Sequence, residues 1–193
     1  VLKNKVLMMG AFAILVYVGA EVAIGSYLVN YFIDMDMHLV IQSTPWMNNI
    51  AINILNTDLA SLDKRAIVGA FVTFYWSGAM IGRFVGAYLT SKNNPSKVLG
   101  FFAIGALLLI IISMNTVGLL SMWSILAVGL FNSIMFPTIF TLSIQDIDEL
   151  KPQASGILCT MIVGGAIIPP LYGFLTDLSG FKTAMILLLA CYG

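Results

Sequence analysis

Residues 6–32 read VLMMGAFAILVYVGAEVAIGSYLVNYF, an apolar run broken by a single charge, Glu21. A helix needs about 20 apolar residues to cross the hydrocarbon core of a bilayer. This run is long enough to span. It is too long for a signal peptide, and no small-residue cleavage site follows it. Four comparable runs come after it, at 66–89, 98–114, 119–144 and 154–175, and a partial sixth at 181–193. The runs are continuous rather than alternating, which favours helices over a transmembrane barrel. The sequence therefore predicts an all-α membrane protein.

Composition agrees. Of 193 residues, 60% are hydrophobic and 9% charged, against about 25% charged in a soluble domain. Nine Lys and Arg balance nine Asp and Glu, so there is no basic field to hold nucleic acid. Disorder is excluded by the abundance of apolar residues. Cys159 and Cys191 both lie in apolar runs and form neither a disulfide framework nor a metal site. The chain has no HExxH pair, GxSxG elbow or Walker loop, and His38 is its single histidine. Enzymatic chemistry and a metal centre are not expected. The chain starts without Met and stops within an apolar run, so it reads as part of something longer.

Lys and Arg in the connections set the orientation. With the N-terminus cytoplasmic, Lys3, Lys5, Lys92, Lys97 and Lys151 fall inside and Lys64, Arg65 and Lys182 outside; the opposite topology is worse. The long connection 33–65 then lies outside. Within it, Ser43-Thr44-Pro45 reads as an N-cap followed by Pro at the first helical position. Met47, Ile50, Ile54 and Leu55 recur at helical spacing, which predicts a short amphipathic helix. Residues 145–153 (QDIDELKPQ) read as a solvated cytoplasmic connector.

Several residues are costly at their depth. Glu21, mid-span, costs about 2.5–3.5 kcal/mol on the insertion scale, so it must face a cavity or a partner. It is either a ligand-binding or proton-accepting carboxylate, or an acid paired inside the bundle. At about 100° per residue, Tyr17, Glu21 and Gly25 share a face. Tyr27, Asn30 and Tyr31 lie on another. Gly19 and Gly25 weaken the helix, and a bend there would turn both polar sets toward one cavity.

Gly78, Gly82 and Gly86 recur every four residues, a spacing that lets another helix approach closely. Arg83 beside them is either a gating partner or an anchor extended to the interface. Trp76 offers an aromatic plane for a sugar ring, or ordinary packing. In the fourth span, Pro137 deprives the Ser133 carbonyl of its helical partner, and Asn132 places an amide in the same turn. Transporters build midplane sites from such broken helices, although neighbouring helices can also satisfy a kink. Ser133, Pro137, Thr141 and Gln145 continue along one face. In the fifth span, Gly164-Gly165 followed by Pro169-Pro170 predicts a bend or break.

Four strings carry a family resemblance: GAEVAIGSYLVNYF (19–32), GRFVGAYL (82–89), GLFNSIMFPTIFTLSI (129–144) and ASGILCTMIVGGAIIPPLYGFLTD (154–177). They resemble the fucose–galactose–glucose:proton symporter family of the major facilitator superfamily, in its glucose/galactose branch. The resemblance covers essentially the whole chain. It implies the six-helix C-terminal half of a twelve-helix bundle with the last helix cut short. It further implies proton-coupled uptake of a neutral hexose across a bacterial cytoplasmic membrane, by alternating access against a six-helix N-terminal half. The coupling proton is the sole co-reactant. Glu21 and Asn132 match the family's positions in spans seven and ten. On this reading Glu21, Asn30, Trp76 and Asn132 are the candidate sugar contacts, and Glu21 the proton-coupling candidate within this chain. Gly78, Gly82, Arg83, Gly86, Pro137, Gly164, Gly165, Pro169 and Pro170 form packing and gating elements. Other neutral solutes (an amino sugar, a polyol) and a non-transporting membrane scaffold are the alternatives.

Overall fold

The computed structural model describes residues 4–147 and 150–193. Lys3 and part of the 145–153 connector lie outside the described residues. The described chain is a helical bundle with no strand: α1 (Lys5–Asp34), α2 (Met37–Ser43), α3 (Pro45–Leu55), α4 (Lys64–Lys92), α5 (Pro95–Asn115), α6 (Gly118–Asn132), α7 (Met135–Ile144), α8 (Lys151–Thr160), α9 (Gly164–Ser179) and α10 (Phe181–Tyr192). Five helices are long and apolar enough to cross a membrane: α1, α4, α5, the pair α6–α7 over 27 residues, and α8–α9 over 29. The expected spans and the short sixth helix thus correspond to observed elements. The third begins earlier than expected because the Asn94 side chain accepts from the Ser96 N–H ahead of Pro95, capping α5 three residues upstream.

The bundle turns a broad apolar face outward. Phe84, Met9, Phe12 and Leu178 are all exposed. In water such a surface would aggregate; in lipid it is the solvated side. Inside, α1 is the central element and packs against α4, α7, α9 and α10.

Small residues set the closest contacts. A Cβ on Gly82 would collide with the Leu130 carbonyl and Ser133, and one on Gly86 with Ile134, while Gly78 meets Leu130 only at 3.4 Å. The glycine row is therefore the seam on which α4 lies against α6 and its junction with α7. On the other side of α1, a Cβ on Gly164 would collide with the Leu15 carbonyl, and one on Gly19 with Ile168.

Three expectations need correction. First, α1 runs unbroken through Gly19 and Gly25. Those glycines are consumed by close approach, Gly19 to Ile168 and Gly25 to Trp76, and Tyr27, Asn30 and Tyr31 do not line the cavity that Glu21 faces. Second, the fifth span does break, but at Met161–Val163, a 3-10 turn, ahead of the glycine pair. Pro169 and Pro170 sit inside the helical α9. Gly164 serves contact with α1 rather than flexibility. Third, the 33–65 connection holds two helices. α3 starts at Pro45 as predicted, but its buried positions are Met47 and Ala51, and Ile54 is exposed. The additional α2 was hidden because its seven residues show no helical start signal beyond Asp36, which adopts a left-handed conformation.

The α2–α3 hairpin is docked on the bundle, not laid flat beside it. Trp46 of α3 stacks on Trp123 of α6 at 6.0 Å, and Phe71 and Phe74 of α4 meet the same indole edge-on at 6.2 and 5.4 Å.

Candidate functional site

The site is built where α6 stops. Asn132 is the last residue of α6, and Ser133 and Ile134 separate it from α7. The chain breaks because Pro137 cannot supply an N–H to the preceding turn. Helix ends leave carbonyls in need of partners. Here the Asn132 carbonyl accepts from the Tyr17 hydroxyl of α1 at 2.7 Å. The same hydroxyl lies 2.8 Å from Glu21 Oε2, one helical turn along. The shared face of Tyr17 and Glu21, legible from spacing, is thus a direct contact.

The Asn132 side chain is also fully engaged. Its Nδ2 donates to Tyr75 Oη at 2.9 Å, and its Oδ1 accepts from the Tyr192 hydroxyl at 2.7 Å. Tyr75 Oη in turn lies 3.4 Å from the Glu21 carbonyl. Asn132 is 1% exposed. The amide is absent from the cavity lining: it joins α4 and α10, while the carbonyl of the same residue meets α1. Tyr75 and Tyr192 escaped the sequence reading because a tyrosine in an apolar helix carries no positional signal of its own. Only the requirement that a buried amide be paired pointed to such partners.

Glu21 does face a hollow. Tyr17, Val18, Glu21, Arg83, Ser133, Phe136, Pro137 and Ile162 line a cavity of about 460 Å³, within the usual 300–1,000 Å³ range of ligand sites. A second cavity, of about 850 Å³, continues from it past the shared residues Arg83, Ser133 and Pro137. All four residues of the polar stripe, Ser133, Pro137, Thr141 and Gln145, line it, together with Thr90, Ser91 and Lys151. Walls come from α1, α4, the α6–α7 junction and the 3-10 turn at Met161–Val163. Both broken spans therefore present their interruption to the same hollow.

The other expected contacts are placed as follows. Trp76 is half-exposed on α4, edge-on to Tyr75 at 5.2 Å and over Gly25. It stands about two turns from Arg83 and outside both cavities. Asn30 is remote. It sits more than two turns beyond Glu21 on α1, where its Oδ1 accepts from Arg65 at 3.1 Å. Tyr27 and Tyr31, on that same other face, are spent in packing. Tyr27 meets Tyr172 edge-on at 5.4 Å. The Tyr31 hydroxyl joins Ser121 Oγ at 2.6 Å in a buried cluster with Ser113.

Among the described residues no group of three or more His, Cys, Asp or Glu could hold a metal ion. The arrangement offers hydrogen-bonding groups, one acid and one guanidinium around a solvent-accessible hollow. It can bind a polar solute, and it can take up and release a proton.

No family model matches the chain. It is 41% identical over 186 residues to a glucose/galactose transporter of Brucella abortus, covering 96% of this chain and 40% of that protein. It is 38% identical over 175 residues to a putative glucose/galactose transporter of Helicobacter pylori, covering 91% of this chain and 37% of that protein. Among solved structures it matches the Escherichia coli fucose:proton symporter FucP, a major facilitator superfamily transporter, in the outward conformation. That match has a TM-score of 0.80 at 27% identity and covers 98% of this chain and 40% of FucP. The chain thus spans about 40% of the length of these relatives.

Proposed function

We propose, from the premise that this chain belongs to the sugar-transporter family of the glucose/galactose and fucose:proton carriers and folds as half of a major facilitator bundle, that it forms one wall of a proton-coupled hexose site. The observation that carries this reading is the convergence of Glu21 and two interrupted spans on one hollow. An intramembrane acid is retained where it serves a path for solute or proton. Hydroxyl and carboxylate groups suit a neutral sugar.

The remaining wall would come from a six-helix N-terminal half, with alternating access as the two halves rock around the site. Glu21, Arg83 and Ser133 are among the polar groups on this side, with Thr141 and Gln145 further along the hollow. Trp76, half-exposed outside both cavities, is left out of the sugar contacts on this side. We place the protein in the bacterial cytoplasmic membrane with the start of α1 on the cytoplasmic side and the α2–α3 hairpin outside. Lys3, Lys5, Lys92, Lys97 and Lys151 on that side, against Lys64, Arg65 and Lys182 on the other, support that orientation.

The test is uptake by the full-length protein in proteoliposomes under an imposed proton gradient, with glucose, galactose and fucose offered separately. At least one should accumulate, and a protonophore should abolish the accumulation. Absence of accumulation for all three, or accumulation indifferent to the protonophore, would refute the reading.

A further inference from the structure

The Tyr17 hydroxyl has one proton and two acceptors. Glu21 Oε2 lies 2.8 Å from it and the Asn132 carbonyl 2.7 Å. A phenol donates one hydrogen bond at a time, and Tyr17, at 3% exposure, has no bulk water to fill the second position. We propose that Tyr17 is a positioning residue that couples the protonation of Glu21 to the break in the fourth span. This inference rests on the transport reading above.

The coupling follows from counting protons. When Glu21 is ionised, the Tyr17 proton goes to the carboxylate, because a charge-assisted bond is about twice as strong as a neutral one. The Asn132 carbonyl at the end of α6 then loses that donor. When Glu21 takes up a proton from the cavity it lines, its own O–H donates to Tyr17 Oη. Tyr17 turns its proton to the Asn132 carbonyl, and both short contacts are used. The proton stays on the carboxyl group and Tyr17 keeps its own. The only change in charge is the loss of one negative charge on Glu21. The α1–α6 junction is therefore tightened in the protonated state and loosened in the ionised one, at the place where the span is already discontinuous.

The groups around Glu21 fit this assignment. Tyr17 is the polar neighbour on its own helix. From α4 come Arg83, across the cavity, and Tyr75, whose hydroxyl approaches the Glu21 carbonyl rather than its carboxyl group. From α10, Tyr192 is bonded to the Asn132 side chain. From α7 and the 3-10 turn, Phe136, Pro137 and Ile162 contribute no titratable group. Among the described residues, no other hydroxyl lies within hydrogen-bonding distance of both the carboxylate and the helix end.

The test compares sugar counterflow, which needs no net proton movement, across a pH series in full-length wild type, Tyr17→Phe, Glu21→Gln and the double variant. Wild-type counterflow should vary by about fivefold through the titration of Glu21, the worth of one net hydrogen bond. Tyr17→Phe should flatten the profile, so that its rates at acid and alkaline pH differ by less than about twofold, and should add nothing to the pH dependence in the Glu21→Gln background. A wild-type profile in Tyr17→Phe, or a loss equal at every pH, overturns the proposal. Infrared difference spectra of the wild type between acid and alkaline buffer give a readout independent of transport. A carboxyl band absent from Glu21→Gln should appear with a shift in a tyrosine C–O band, and the carboxyl band without that shift also overturns the proposal. If the wild type moves no sugar, the transport reading falls and this inference falls with it; if it moves sugar and Tyr17→Phe behaves as wild type, the coupling alone falls.

Discussion

Replacing Asn132 with alanine separates a ligand from a keystone. The side chain accepts from Tyr192 and donates to Tyr75, both across helices and both buried. Alanine removes both contacts at once. Tyr75 keeps a longer acceptor, the Glu21 carbonyl at 3.4 Å, so its loss is about one net hydrogen bond, about 1 kcal/mol. The Tyr192 hydroxyl is left without its recorded acceptor, and a buried unpaired donor costs about 1–3 kcal/mol. The sum is a loss of about 2–4 kcal/mol. It should appear as a fall of several degrees in the thermal unfolding midpoint of the purified full-length protein. Tyr192→Phe removes the stranded donor, so the double variant should be more stable than Asn132→Ala alone, by about 1 kcal/mol. Were Asn132 a direct sugar contact instead, the midpoint would hold and KM for sugar would rise. That outcome, or a double variant no better than the single, refutes the reasoning.

Other positions give sharper contrasts. Gly82→Ala should cost about 1–3 kcal/mol through overpacking against Leu130 and Ser133, while Gly78→Ala, whose Cβ would sit at ordinary contact distance, should be near neutral; thermal unfolding of the pair decides. Trp46→Ala removes a stacked ring worth about 0.5–1.5 kcal/mol beyond its area, so limited proteolysis of the 56–63 segment should accelerate while α4 and α6 remain protected. Asn30→Ala should leave the KM for sugar unchanged and cost at most about 1 kcal/mol, since its partner Arg65 is an exposed surface group; a several-fold rise in KM would place Asn30 back in the site.

The spans were legible because lipid imposes a demand on every residue of a crossing segment, and nearly every residue of 6–32 and 119–144 meets it. Glu21 and the Ser133–Gln145 stripe were legible for the converse reason. Polar groups in such runs are expensive, so their positions mark a hollow. What the sequence concealed was direction. Asn132 and Glu21 are similarly costly, yet one points into the wall and the other into the cavity, and only the tyrosines from α4 and α10 decide which. The glycines misled in the same way. Gly164 and Gly19 read as points of weakness, whereas a missing Cβ equally serves close approach, and only the neighbouring helix distinguishes the two uses. α2 and the 3-10 turn at Met161–Val163 are too short to leave a periodic trace.

Where α1 and α9 cross at Gly164, the backbone of one lies against the backbone of the other with no side chain between them to act as a cushion. Two rods touching in that way cannot slide without a collision of main-chain atoms, so they travel as a single beam. Any rearrangement that opens or seals the hollow must leave that beam whole.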